Sequence, residues 1–184
     1  MAFIATNDRD ELLSTLTAYE RIAHACWPSL HPDLTGRTAW GPRDEKRLRA
    51  SLSALLDESA VNALGVRVFW KLLPSLSYRG ANLSFARDGG LSSIEEIIGL
   101  DDFSPRVPWN RQAPLYRRDD ELVIKTREEK LFIIERQDQL EQTTYLHTAK
   151  VPMLGSDGGA IGLLGMYRLI DKATAVTLMR EHRT

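Results

Sequence analysis

Two β-rich stretches, Thr143–Met153 and Ala160–Ile170, flank the segment Gly155-Ser156-Asp157-Gly158-Gly159. Such a cluster of Gly, Ser and Asp reverses a chain within a few residues, so the stretches are predicted to pair as an antiparallel hairpin. A phosphate-binding loop is the competing reading of a Gly-rich segment. That loop joins a strand to a helix whose N-terminus meets the anion, whereas both neighbours here are strands and no Lys-Ser or Lys-Thr follows. The preceding run Lys130–Gln137 reads as a third strand, with Leu131 and Ile133 on one side and Phe132 and Ile134 on the other. A sheet with one wet face alternates apolar and polar residues. Four consecutive apolar residues therefore predict that both faces are covered around that point.

The first third of the chain has a different texture. Residues 8–27 read as an amphipathic helix with Asp8 as cap, ended by Pro28. Residues 28–42 carry Pro and Gly without period and read as a loop. A second helix is predicted over Arg43–Ala63, with Leu48, Leu52, Leu55, Leu56 and Val61 as its apolar stripe and Gly65 as its stop. It feeds into the first strand, Val66–Leu72, and is expected to cover the outer sheet face or to pair there with a second copy. Leu76–Ala81 reads as the second strand. Short helical pieces run from Asn82 to about Thr126, broken at Gly89-Gly90, Gly99 and Pro105. A last helix is predicted over Lys172–Arg183. The organisation expected is residues 1–64 as a helical segment, 65–171 as one α+β domain and 172–184 as an exit helix.

A net charge of -1 and a pI near 6.4 argue against a chain built to grip phosphate backbones. No apolar run approaches the roughly 20 residues that span a bilayer, and the N-terminus lacks a signal-peptide layout. The lone Cys26 rules out an internal disulfide. The expectation is a cytoplasmic protein without direct contact to membrane or nucleic acid.

Catalytic signatures are sparse. Asp101-Asp102 and Asp119-Asp120 are paired carboxylates, but neighbouring residues on a helix point apart, and acid–base work needs two carboxyls facing one substrate. They read as structural or solvated. His24, His31, His147 and His182 have no metal-ligand spacing and there is no Cys-x-x-Cys. No Gly-x-Ser-x-Gly elbow occurs. The expectation is that the chain is not an enzyme. In the strand Thr143–Met153, Tyr145, His147, Ala149 and Val151 share a face by period two. If that face is the inner one, His147 looks over a pocket beside Ala149 and Val151. A ligand contact, a satisfied core histidine and an outward position all remain open for it.

The order of cues is more specific than any single motif. Val68-Phe69-Trp70-Lys71 is followed by Tyr78-Arg79-Gly80-Ala81-Asn82, Phe85-Ala86-Arg87 and Ile94-Glu95-Glu96-Ile97-Ile98-Gly99. Then come Trp109, Tyr116-Arg117-Arg118-Asp119-Asp120, Ala149-Lys150-Val151-Pro152, and Gly155 through Gly165-Met166-Tyr167. Across residues 68–171 this resembles the bacterial PAS sensory domains. The resemblance implies an α+β, PAS-like five-stranded antiparallel sheet with short helices on one face, here preceded by N-terminal helices.

It implies further that Tyr167 faces the cavity, with Phe85, Trp109 and Tyr116 from the helical side. Together with His147, Ala149 and Val151 these are the expected ligand-binding residues. A small organic ligand of unknown identity fits such a cavity. Covalent flavin chemistry is excluded, because the place of the reactive Cys is held by Asn82-Leu83-Ser84-Phe85. The helix Leu115–Ile124 has no His, which argues against haem. The implied function is that of a homodimeric sensor passing a signal to an output module outside these residues. Such modules are histidine kinases, diguanylate cyclases or phosphodiesterases, and helix-turn-helix regulators. The alternative is a ligand-free association scaffold of the same fold. One departure stands out: where the family's last strand ends Asp-Ile-Thr, this chain has Leu169-Ile170-Asp171, its acid displaced by two places.

Overall fold

The computed structural model describes residues 65–138, 143–154 and 158–181. The helices expected over 8–27 and 43–63, the turn residues 155–157 and the residues from 182 onward lie outside them. Five strands, β1 (Arg67–Leu72), β2 (Ser77–Ala81), β3 (Lys130–Asp138), β4 (Thr143–Leu154) and β5 (Ala160–Ile170), form one sheet in the order β2-β1-β5-β4-β3. Every neighbouring pair is antiparallel. The expected α+β class and five-stranded antiparallel sheet are what the chain adopts. Between β2 and β3 lie α1 (Leu83–Asp88), short 3-10 turns at Glu95–Ile97 and Asn110–Gln112, and α2 (Ala113–Thr126), while α3 (Lys172–Glu181) follows β5.

Register decides which side chains meet. Phe69 lies opposite Gly165 and Lys71 opposite Leu163 across β1 and β5. Tyr167 lies opposite Thr148, and Lys150 opposite Gly165, across β5 and β4. Directly opposed residues share a face, so Phe69, Lys71, Leu146, Lys150, Leu163 and Tyr167 all point toward the helical connector. There Phe85, Ile97, Trp109 and Tyr116 complete a core with Phe69, Tyr78 and Tyr167. The ring of Phe69 packs flat over Gly165, where an added Cβ would come within 2.2 Å of it.

Local chemistry fixes the connector to the sheet. Asn82 caps α1 by accepting from the Phe85 N–H at 3.1 Å, and the same oxygen accepts from the Val68 N–H of β1. Its amide nitrogen donates to the Val66 carbonyl at 2.9 Å. One side chain thus satisfies the helix start and the approach to β1 together. In α2, Pro114 suits the first turn. Its buried face carries Ala113, Tyr116, Asp120 and Val123 at helical spacing, and Arg127 closes the helix in the left-handed region at φ 58°. On the far side of the sheet, Ala175 and Leu178 of α3 pack with Ile170, Phe132, Ile134 and Tyr145. The displaced acid Asp171 accepts from the Thr174 N–H at 2.7 Å and so caps α3.

Candidate functional site

Two lysines sit deep between sheet and connector. Lys71 of β1 donates to Asp102 at 2.5 Å and to Asp120 at 2.6 Å, and its side chain is 1% exposed. Lys150 of β4 donates to the other oxygen of Asp120 at 2.7 Å and lies 3.5 Å from Glu135 of β3. Tyr78 of β2 donates to Asp102 at 2.5 Å. Taking such charges out of water is costly unless each is paired and hydrogen-bonded. The register is what makes it tolerable: β1 and β4 aim both ammonium groups at the buried face of α2.

The titration of these groups follows from that packing. Burial alone would push Asp120 up, but Lys71 and Lys150 outweigh it and hold the carboxyl below its ordinary value. Burial would pull Lys150 down, yet Glu135 and Asp120 win and raise it, so it stays charged. Glu135 moves the other way. Its burial raises it, Lys150 and the Thr148 hydroxyl only partly offset that, and Asp120 and Asp119 add to the rise. Burial and nearby carboxylates also push up the phenols of Tyr78, Tyr116 and Tyr167. An ammonium group held charged as that of Lys150 is does not act as an amine nucleophile.

Beside the ionic cluster is a cavity of about 30 Å³ lined by Phe69, Phe85, Trp109, Tyr116, Leu146 and Tyr167 on its apolar side. Lys150, Glu135 and Gln137 form its polar side. Two buried polar atoms there have no hydrogen-bond partner, the Tyr116 hydroxyl and Glu135 Oε1. A cavity this size holds a water or two, and buried polar groups are seldom left unsatisfied. The Tyr167 hydroxyl is engaged elsewhere: it donates to Asp88 at 2.9 Å, and Asp88 also accepts from Arg67 at 2.8 Å.

The structure thus brings together Tyr167, Phe85, Trp109 and Tyr116 around the cavity. It separates them from His147, Ala149 and Val151, which correct the expected phase of β4. Ala149 pairs with Met166 and Val151 with Leu164, on the outer face of the sheet. There His147 is fully buried, with its ring 4.7 Å from that of Phe132. The residues of β4 that face inward are Leu146, Thr148 and Lys150. Sequence reasoning also missed Lys71, Asp102, Asp120 and Glu135. Their visible signals are a lysine between Trp70 and Leu72 at the inward phase of β1 and an Asp in the middle of the apolar stripe of α2. Among the described residues no His, Cys, Asp and Glu group is arranged to hold a metal ion, and no helix is long and apolar enough to cross a membrane.

No family model and no curated protein matches the chain. Solved structures do. VqmA bound to DPO superposes with a TM-score of 0.53 at 21% identity, over 62% of this chain and 57% of that one. The Vibrio cholerae VqmA dimer without its target DNA gives 0.54 at 21% identity, over 64% and 52%. A light-oxygen-voltage domain described with a flavin analogue gives 0.51 at 12% identity, over 68% and 92%. The chain spans about half the length of the VqmA structures it matches. Strand order, helical connector and these superpositions agree: the sheet β1–β5 with its helical connector has the PAS fold.

Proposed function

We propose that this PAS unit is sensory, binding a small organic molecule in the cavity between sheet and connector. The observation that carries the reading is the pair of unsatisfied buried groups, Tyr116 O–H and Glu135 Oε1, facing an aromatic-walled space. Apolar walls with a few placed polar groups are how proteins hold and orient small molecules. VqmA, similar in fold, is described as bound to DPO, and the Vibrio cholerae protein as a complex with ligand and DNA. Together with the Vibrio cholerae VqmA dimer, that supports a dimeric receptor whose output, on DNA or through another module, lies outside the PAS unit. The test is mass spectrometry of small molecules released from purified protein, followed by return of the released compound to stripped protein. A stoichiometric compound that restores the melting temperature supports the reading. A clean protein that responds to no extract of its host overturns it.

A second reading has one observation in its favour. At about 30 Å³ the cavity is nearly filled by the protein's own side chains, as expected of a PAS-fold association scaffold that takes no ligand. Tyr116→Phe separates the two. In a scaffold it leaves stability unchanged or improved, since the hydroxyl has no partner to lose, whereas in a sensor it weakens ligand-induced stabilisation.

A further inference from the structure

The buried cluster contains Asp102, Asp120 and Glu135 as acids and only Lys71 and Lys150 as bases. The distances show which acid is short of a counter-ion. Asp102 and Asp120 each have an ammonium nitrogen at 2.5 to 2.7 Å, whereas the nearest one to Glu135 is Lys150 at 3.5 Å. Glu135 Oε2 accepts from the Thr148 hydroxyl at 2.7 Å, while Oε1, the oxygen 3.5 Å from Lys150, has no hydrogen bond. Beside it Tyr116 is 8% exposed, with its hydroxyl buried and unpartnered. Lys71 lies over the rings of Phe69 and Tyr78, and Lys150 nearest that of Tyr116. Phe85, Trp109 and Tyr167, which pack on one another, are the other aromatic walls of the cavity, and aromatic rings attract cations.

We propose that the ligand of this pocket is a small organic amine, bound as its ammonium ion, with Glu135 as its counter-ion and Tyr116 as its hydrogen-bond partner. The inference rests on the sensory reading and adds the chemical class of the ligand. An anion is disfavoured although two lysines line the site, because both ammonium groups already bond to Asp102 and Asp120.

The groups facing Glu135 are Lys150 and Thr148 from β4 and Tyr116, Asp119 and Asp120 from α2, with the Lys71–Asp102 pair beyond Asp120. Burial raises Glu135 above its ordinary value. Below its folded value, binding exchanges a proton for the ammonium ion: the carboxyl releases H⁺ to solvent, the carboxylate pairs with the ligand, and the charge of the site is unchanged. Above that value the carboxylate receives the ammonium ion directly.

The probes are three two-carbon compounds small enough for a cavity of about 30 Å³, ethylamine, ethanol and acetate, titrated calorimetrically into stripped protein. Ethylamine is expected to bind best and, below the folded value of Glu135, to release a proton, seen as a heat that varies with the ionisation enthalpy of the buffer. Its affinity should rise about tenfold per pH unit until Glu135 ionises in the free protein. Glu135→Gln should weaken ethylamine about tenfold or more while leaving ethanol nearly unchanged. Equal or tighter binding of ethanol or acetate overturns the amine class and leaves the sensory reading intact. If none of the three binds, the amine class also falls, and the released-compound experiment decides the sensory reading separately. If Glu135→Gln fails to fold, Tyr116→Phe serves: it should weaken ethylamine more than ethanol, and equal loss of both overturns the assignment.

Discussion

Lys71 and Lys150 hold the same carboxyl group from two different strands, one on each oxygen of Asp120, at 2.6 and 2.7 Å. The arrangement ties β1 and β4, separated in the sheet by β5, to one position on α2. It is a polar rivet through the core, and its worth depends on every member being present. Removing Lys150 leaves one oxygen of Asp120 without its partner and Glu135 without its nearest ammonium group. Lys150→Met is therefore expected to cost about 3–5 kcal/mol, read from urea unfolding. A loss under about 1 kcal/mol would show that water reaches Asp120 and replaces the lysine.

The Tyr167 hydroxyl gives a second, smaller test. It donates to Asp88 at the end of α1, and Asp88 in turn holds Arg67 at the start of β1. Tyr167→Phe keeps the ring in the cavity wall and removes only this bond, so the expected cost is about 1–3 kcal/mol for a hydrogen bond to a charged group. Arg67→Met in the Tyr167→Phe background should then cost less than it does alone. Strict additivity of the two changes would break the proposed chain.

The close packing of Phe69 over Gly165 predicts a steric effect of the opposite kind. Any side chain at Gly165 meets the ring face, and no rotamer of the newcomer avoids it, because the first atom is already too close. Gly165→Ala should destabilise by about 1–3 kcal/mol through overpacking. Gly165→Ala combined with Phe69→Leu should recover part of that, measured by thermal unfolding. No recovery would place the strain elsewhere.

The pH profile follows from the opposed shifts of Asp120 and Glu135. Asp120, held below its ordinary 3.8, contributes stability that is present above that value and lost as pH falls through its lowered folded value. Glu135, raised above its ordinary 4.5, contributes stability that is complete below 4.5 and lost as pH rises through its raised folded value. Stability should therefore decline from mildly acidic toward alkaline pH, and Glu135→Gln, which cannot ionise, should remove that decline. Parallel stability profiles for the two proteins from about pH 5 to pH 8 would show that Glu135 does not titrate in this range.

Strand order was legible because it is written in local chemistry. The Gly-Ser-Asp-Gly-Gly turn, the alternation in Val66–Leu72 and the uninterrupted apolar run Leu131–Ile134 each report on a few neighbouring residues. The site was less legible. Period two put His147, Ala149 and Val151 on one face correctly, but which face is decided by pairing with Arg168, Met166 and Leu164 of β5, a long-range fact. The carboxylate pairs read as structural or solvated, and Asp102 and Asp120 are structural, but their partners were not legible for a similar reason. It is true that neighbours such as Asp119 and Asp120 diverge. One of each pair nevertheless turns inward, toward a lysine from a strand far away in sequence. Ion pairs across a core leave no periodicity, and only Lys71 and Lys150 standing among apolar neighbours hint at them.

The outer face of the sheet supplies the last prediction. Val68, Trp70, Val151, Met153, Leu164 and Met166 all point away from the cavity, and all are at most 4% exposed. Helix α3 packs at the Ile170 end of this face. The apolar surface farther along β1 and β5 needs cover as well, and the stripe Leu48, Leu52, Leu55 and Leu56 lies in the segment that runs into β1. A chain beginning at Gly65 is therefore expected to melt several degrees lower or to aggregate, seen by thermal unfolding and gel filtration. Within the full chain, Met166→Glu should put a charge into the same surface and cost more than about 3 kcal/mol. A truncated chain that stays monodisperse with an unchanged melting temperature would show that residues 1–64 do not cover the sheet. A tolerated glutamate at 166 would show that this face is open to water in solution. Loss of stability in both, with the cavity residues untouched, would make sheet and N-terminal segment one cooperative unit, so that a change at β1 is felt in the segment that precedes it.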